Sequence, residues 1–175
     1  RAATVAGEKN SELPPAELSE VARIVGIGTV KYNDLCRDRI ADIHFDLDKA
    51  MALDGNTAPY MQYAYARMRS IGRKAEAEGY RPAAPTLSHA AERALARRLL
   101  DYGAAVEKVA DTCRPHVLCE YLYELAGAVS TFYNEVPVLK AEPAERSARL
   151  GLLALAASTL RHGLSLLGIE VPERM

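Results

Sequence analysis

Tyrosine and basic residues share one face of the segment from Tyr60 to Lys74, which contains no acidic residue. If the segment is a helix, a step of about 100° per residue turns Met61, Ala64 and Met68 toward a core. The opposite face then carries Tyr60, Gln62, Tyr63, Arg67, Arg69, Arg73 and Lys74. Unpaired bases stack on aromatic rings while Arg and Lys bind phosphates, so this face is typical of a single-stranded RNA site.

The same pattern also fits two other interpretations. In one, the tyrosine rings pack against a neighbouring helix and the arginines merely solvate its rim. In the other, the chain is a helical protein-interaction module whose aromatic and basic face docks an acidic partner. The spacing of the residues alone leaves these alternatives open.

Other candidate sites are weaker. Cys113, His116 and Cys119 have the spacing Cys-x2-His-x2-Cys, but a structural zinc site needs four ligands and no fourth is evident. We therefore expect no metal, and interpret these residues as buried thiols beside a helix-capping histidine. Gly26 and Gly28 lack the preceding strand and the third glycine of a nucleotide-binding motif. No nucleophile and base can be paired, so we expect no catalytic residue.

Composition limits the class of protein. The chain has 175 residues, a formal net charge of −1 and 49% hydrophobic residues, which excludes a disordered protein. Because the charge is nearly balanced, nucleic-acid binding requires a local basic patch. No apolar run reaches the roughly 20 residues of a membrane span. Three cysteines without a signal-peptide pattern favour a reducing, cytoplasmic setting.

The elements that must position these residues are all helical, since no hairpin turn separates alternating segments. Four longer helices with short connections predict a compact bundle. We expect six helices. The first begins at Pro14–Pro15, the second spans Leu47–Leu53, and the third runs from Pro59 to residues 74–78. The fourth begins near Ser88 and has a break near Gly103, the fifth runs from Pro115 to Pro137, and the sixth runs from Pro143 to Leu167. We expect residues 36–46 to be irregular, residues 54–57 to form a turn capped by Asn56 or Thr57, and residues 79–85 to be a linker.

Three runs of sequence resemble segments of one protein family and occur in the same order as in that family. They are Val25–Leu35 (VGIGTVKYNDL), Asp54–Arg67 (DGNTAPYMQYAYAR) and Leu166–Met175 (LLGIEVPERM). They are similar to the C-terminal part of arginyl-tRNA synthetases, and the likeness covers nearly the whole chain. It implies a DALR-type anticodon-binding domain at residues 54–175. Residues 1–53 would then be helices joining it to a catalytic domain.

The resemblance also implies a partner and a site. The partner is the anticodon stem-loop of tRNA(Arg), beside the catalytic domain of the same enzyme, with no membrane or DNA partner. The turn and the following helix would line the anticodon-loop site, with the C-terminal methionine packed beside them. The residues expected to bind RNA are Asn56, Tyr60, Gln62, Tyr63, Arg67, Arg73, Lys74 and Met175. Gln62, Arg67 or the turn backbone would read base edges.

The sequence departs from the family in two ways. The HIGH and KMSKS signatures are absent, so we expect this chain alone to be inactive, with ATP and Mg²⁺ serving only the parent arginine-tRNA ligase. The acidic-Ala-x-Arg signature would fall near Ala154–Ser158, where the charged positions hold Ala and Ser. Since the apolar stripe of the last helix ends at Leu167, we also expect deletion of the tail Ile169–Met175 to leave the helical content nearly intact while it weakens anticodon-loop binding and discrimination at the middle base.

Overall fold

The computed structural model describes residues 14–175, and every regular element in that range is a helix. The predicted all-α fold class is therefore confirmed. The helices are α1 (Pro15–Leu35), α2 (Leu47–Ala50), α3 (Ala58–Ala77), α4 (Ala90–Leu100), α5 (Tyr102–Thr112), α6 (His116–Glu135) and α7 (Pro143–Leu166). The first 13 residues of the expected linking segment lie outside this range.

Local sequence signals set most helix boundaries. Pro15 and Pro143 occupy the first helical position of α1 and α7, where the missing N–H of proline costs no hydrogen bond. Gly168 ends the last helix with φ +69°, a left-handed conformation that favours glycine. The expected break near Gly103 falls at Asp101, between α4 and α5. Helix α2 is shorter than predicted.

The linker between α3 and α4 crosses the surface of α7. The N–H of Ala83 donates to the carbonyl of Ser147 at 2.8 Å. The Ala83 backbone also occupies the space that a Cβ on Gly151 would take. A glycine at this position of α7 therefore allows the linker to lie directly on the helix.

The core lies where α3, α4, α6 and α7 meet. Leu122, Leu125 and Phe132 place the apolar stripe of α6 at its centre, with no exposed surface. Helix α1 packs along α3 and joins the same core through Tyr32. The boundary between linking helices and domain at residues 53 and 54 remains a prediction. Within residues 14–175 no helix is both long and apolar enough to cross a membrane.

A buried ion pair joins α4 to α7. Arg149 Nε donates to Glu92 Oε1 at 2.7 Å, and both side chains are almost fully buried. Burial by itself would raise the pKa of Glu92, but the backbone N–H of His89 and the Arg149 guanidinium outweigh it and lower that pKa. Ala154 and Ser158 are exposed, so this pair stands elsewhere on α7 than the expected signature.

Candidate nucleic-acid interface

The turn before α3 is held by two side chains. Thr57, one of the two predicted candidates, is the N-cap: its Oγ1 accepts from the N–H of Tyr60 and donates to the carbonyl of Ala52. Asn56 Oδ1 accepts from the Tyr32 hydroxyl at 2.6 Å, and that hydroxyl also lies 3.0 Å from a carbonyl oxygen of α6. Burial raises the pKa of Tyr32, which keeps this donor protonated. The turn is therefore fixed to both α1 and α6.

A cleft of about 100 Å³ opens between α3 and α6, and we call it the α3–α6 cleft. Its floor is apolar, and its polar groups are three tyrosine hydroxyls, the Ser130 hydroxyl and the Arg67 guanidinium. The lining residues that can contact a base are Tyr60, Tyr63, Arg67, Ser130 and Tyr133. Concave, largely apolar surfaces with a few polar groups at the rim are typical of ligand sites.

The aromatic rings at the cleft are partly occupied by neighbours. Tyr60 meets Tyr123 edge to face, with ring centroids 5.8 Å apart. The Arg67 guanidinium lies 3.8 Å from the centre of the Tyr133 ring. Packing against a neighbouring helix, the structural alternative for these residues, is thus present. Both α6 rings still keep more than a third of their surface exposed, which leaves area for a stacked base.

Sequence reasoning missed Tyr123 and Tyr133. The helical pattern of α6 directs its apolar residues to the core, and both tyrosines lie outside that buried set. A signal was available, because an exposed tyrosine on a solvated face is as unusual on α6 as on α3. Only the packing of the two helices shows that Tyr133 borders the same cleft as Tyr60 and Tyr63, and that Tyr123 meets the Tyr60 ring.

The basic side of α3 is directed at the C-terminal tail. Arg69 Nε donates to Glu173 Oε2 at 2.9 Å, and Arg73 donates to the Glu173 carbonyl at 2.9 Å. The Tyr65 hydroxyl donates to the other carboxylate oxygen. Partial burial would raise the pKa of Glu173, yet these hydrogen bonds lower it. Arg73 is thus engaged in tail binding, whereas Lys74 is exposed.

Gln62 corrects the sequence analysis. It was placed on the exposed face of α3, but it is fully buried. Its Nε2 donates to the carbonyls of Ile24 and Glu170, so its amide joins α1, α3 and the tail. An amide in this position has no surface to offer to a base edge. A glutamine on this face of α3 is expected to be exposed, and it is buried here because the tail docks over it.

The C-terminal tail is also more central than predicted. Ile169 is 2% exposed and belongs to the main core, while Pro172 is buried as well. Arg23 of α1 pairs with Glu170 at 2.8 Å. We call the channel between α1 and α3 that holds residues 169–175 the tail groove. These contacts predict that deletion of the tail lowers stability, in contrast to the expectation that the fold tolerates its loss.

Met175 lies at the far end of the tail groove. It packs against a small apolar cluster formed by Val21, Val25 and Met51, a cluster that contains no residue of α3. The expected packing of Met175 beside the Tyr60 helix is therefore not the arrangement observed. Its contacts instead fix the end of the tail to α1 and to the segment that follows α2.

The cysteine and histidine pattern does not form a metal centre. Cys113 is exposed, in contrast to the expectation, whereas Cys119 is fully buried and its pKa is raised to about 12 by that burial. His116 stands in the first turn of α6 without a capping hydrogen bond. It is His89 that caps a helix, at the start of α4. The described part of the chain holds no group of three metal-ligating side chains.

Comparison with known proteins was made by sequence and by structure. The model of the family described as DALR anticodon binding domain matches residues 61–175. The arginine–tRNA ligase of Escherichia fergusonii is 50% identical over 178 residues, and that of Shewanella denitrificans is 46% identical over 176 residues. Each match covers the whole chain but only 31% and 30% of the relative. The chain thus spans about three tenths of the length of these relatives.

Solved structures give the same result. The arginyl-tRNA synthetase of Thermus thermophilus superposes with a TM-score of 0.92 at 39% identity, covering all of this chain and 30% of that one. The enzyme of Plasmodium falciparum superposes with a TM-score of 0.85 at 22% identity, covering 99% and 31%. The second match shows that the fold is kept where the sequence has diverged.

Proposed function

The chain belongs to the DALR anticodon binding domain family, and on that premise we propose that it binds the anticodon loop of tRNA(Arg) at the α3–α6 cleft. The observation that carries the proposal is the grouping of Tyr60, Tyr63 and Arg67 with Tyr133 around an apolar floor. Bases of a single-stranded loop stack on such rings, and guanidinium groups bind their phosphates or edges.

In this proposal the cleft binds the bases and the turn supplies additional polar contacts. Tyr60 and Tyr63 stack on bases, and Arg67 moves from the Tyr133 ring to a base edge or a phosphate. Asn56 and the turn backbone supply further polar contacts, while Lys74 adds a charge at the end of the face. Gln62, Arg73 and Met175, which the family resemblance also implied, act indirectly by holding the tail.

The genetic code indicates which base is read. Every arginine codon has G in the middle, so every tRNA(Arg) has C at the middle anticodon position. A site that accepts one cytosine by stacking and edge hydrogen bonds therefore serves all isoacceptors. Arg67 and the carbonyl and N–H groups of the turn are the groups available to do so.

The catalytic activity belongs, in this proposal, to a longer arginine–tRNA ligase that also contains the catalytic domain. ATP and Mg²⁺ would bind there, since the HIGH and KMSKS signatures are absent from these 175 residues. We place this enzyme in the cytoplasm. The three free thiols, Cys36, Cys113 and Cys119, are consistent with a reducing compartment.

The test is a competition titration followed by fluorescence anisotropy. The labelled ligand is the tRNA(Arg) anticodon stem-loop, and the competitors are a scrambled hairpin, a stem-loop with a substituted middle base, and an acidic peptide. We expect the cognate stem-loop to compete best. Equal competition by the scrambled hairpin would contradict specific anticodon binding. Preference for the peptide would favour the protein-interaction alternative, which the family match does not support.

A further inference from the structure

A second cleft lies at the carboxyl end of α1, beside the turn that precedes α3. It consists of two adjoining cavities of about 180 and 280 Å³, which share Asn33, Arg37 and Lys49 in their lining. His44, Asp46 and Asn56 are among the other polar residues that line it. We call it the polar cleft. No residue of the polar cleft lines the α3–α6 cleft.

The polar cleft contains a hydrogen-bond donor without an acceptor. Asn33 Nδ2 is buried and has no partner among residues 14–175. Buried donors in folded proteins are nearly always paired, and an unpaired one destabilises the fold unless a ligand accepts its hydrogen bond. Because Nδ2 has almost no exposed surface, the Asn33 amide must turn toward the cleft before an acceptor from outside the chain can satisfy it.

The charges of the cleft indicate what kind of acceptor fits. The lining of the cleft contains Arg37 and Lys49 and one carboxylate, that of Asp46. Asp46 Oδ1 already accepts the N–H groups of Asp48 and Lys49 at the start of α2. The Lys49–Asp46 pair is long, at 3.7 Å, and the Lys49 side chain is almost fully exposed. Such a pair is weak in water, so Lys49 can turn to another anion. The site suits an anionic oxygen.

We propose that the polar cleft binds a phosphodiester group of the anticodon-loop backbone, with Asn33 Nδ2 as donor and Arg37 and Lys49 as countercharges. The position supports an RNA source, because Asn56 borders this cleft and lies one helical turn before Tyr60 of the α3–α6 cleft. A loop with a base in one cleft can thus place its backbone in the other. This inference rests on the proposed function.

Three variants test it by stem-loop titration at several salt concentrations. Asn33→Asp replaces the donor with a carboxylate of the same shape, and the double variant Arg37→Gln/Lys49→Gln removes both charges. We expect each to weaken binding about tenfold for every sequence and to reduce the salt slope by about 0.7, the value for one phosphate of a single strand. The control Arg97→Gln/Lys108→Gln, on exposed positions of α4 and α5, should leave the slope unchanged.

A neutral methylphosphonate scanned along the loop identifies the group bound. One position should weaken binding to the parent chain and have no further effect on Asn33→Asp. Unchanged affinity and slope in both polar-cleft variants, with melting curves like the parent, would overturn the proposal. So would a thermal shift from inorganic phosphate that Asn33→Asp abolishes while RNA binding stays intact, since that assigns the cleft to a free anion.

The proposed function can fail separately from this inference. Failure of anticodon recognition appears in the parent chain, as equal binding of cognate and scrambled hairpins. Failure of the polar cleft appears only in the comparison of Asn33→Asp with the parent. In a chain that prefers the cognate hairpin, the two polar-cleft variants should keep that preference, because a phosphate contact carries no base identity.

Discussion

Helix α3 has two long sides that differ in what covers them. Toward α1, the tail groove is closed: Gln62, Arg69 and Arg73 all bind the tail, and Ile169 is buried. Toward α6, the α3–α6 cleft is open: Tyr60 meets Tyr123 edge to face, and Arg67 lies over the Tyr133 ring. The basic residues of α3 therefore do not form one uniform surface. One set stabilises the fold, and the other is available for a ligand.

The strongest test of the closed side is deletion of Ile169–Met175. Burial of Ile169 is worth about 2 kcal/mol, and loss of the hydrogen bonds that Gln62, Arg69 and Arg73 make to the tail costs about 2 kcal/mol more. We expect thermal unfolding, followed by circular dichroism, to occur about 10 °C lower than in the parent. Deleting only Arg174 and Met175 should cost about 1 kcal/mol. A melting temperature unchanged by the longer deletion would restore the view of the tail as peripheral.

Substitutions on the open side should weaken RNA binding and leave stability nearly unchanged. Tyr63→Ala and Arg67→Ala are each expected to weaken stem-loop binding by about 1 to 3 kcal/mol with nearly unchanged melting curves. A matched control exists in Arg146→Ala, because the Arg146 guanidinium lies 3.8 Å from the Tyr80 ring, outside the α3–α6 cleft. If Arg146→Ala weakens binding as much as Arg67→Ala, the cleft is not the site.

Glycine substitutions sharpen the contrast further. A Cβ on Gly28 would lie 2.6 Å from Gln62 Nε2 in the closed groove, whereas a Cβ on Gly72 of α3 meets no atom within 4 Å. We expect Gly28→Ala to lower stability by about 1 kcal/mol, because overpacking exceeds the helix-propensity gain. Gly72→Ala should raise stability by about 0.5 kcal/mol. Denaturant melts of the two variants showing equal shifts would contradict the difference in packing.

The smallest expected effect concerns acid. The folded pKa of Glu173 lies below its ordinary value of 4.5, so its contribution to stability is present above that value and is lost as the pH falls through the folded pKa. Glu173→Gln should therefore destabilise the chain at pH 7 by less than about 1 kcal/mol, since the carboxylate is half exposed. The melting temperatures of variant and parent should converge in acid. A constant difference from pH 7 to pH 3 would show that Glu173 acts through shape alone.

Sequence reasoning succeeded where the cause is local. Pro15, Thr57, Pro143 and Gly168 act on their own turns of backbone, and the structure places helix ends at each of them. It failed where the cause is tertiary. Gln62 looks like a surface residue until a tail of distant sequence covers it, and the partners of α3 on α6 cannot be found from either helix alone.

The ion pair between α4 and α7 shows the same limit. The family signature predicts charged residues within 154–158, but the structure has exposed residues at 154, 155 and 158 and buried alanines at 156 and 157. Arg149 and Glu92 are 57 residues apart in sequence, and nothing in the spacing of either helix indicates that they meet. Helical periodicity predicts which face is buried, but it does not predict which buried polar groups from two helices will pair.

The Tyr32 hydroxyl has a consequence for the speed of binding. It holds Asn56 in place from the core side, so the turn loses its conformational freedom when the chain folds and not when a ligand arrives. Association with an anticodon loop should then be governed by diffusion and electrostatic steering, without a slow ordering step in this protein. Tyr32→Phe would release the turn and reveal such a step as a slower association rate with an unchanged contact surface.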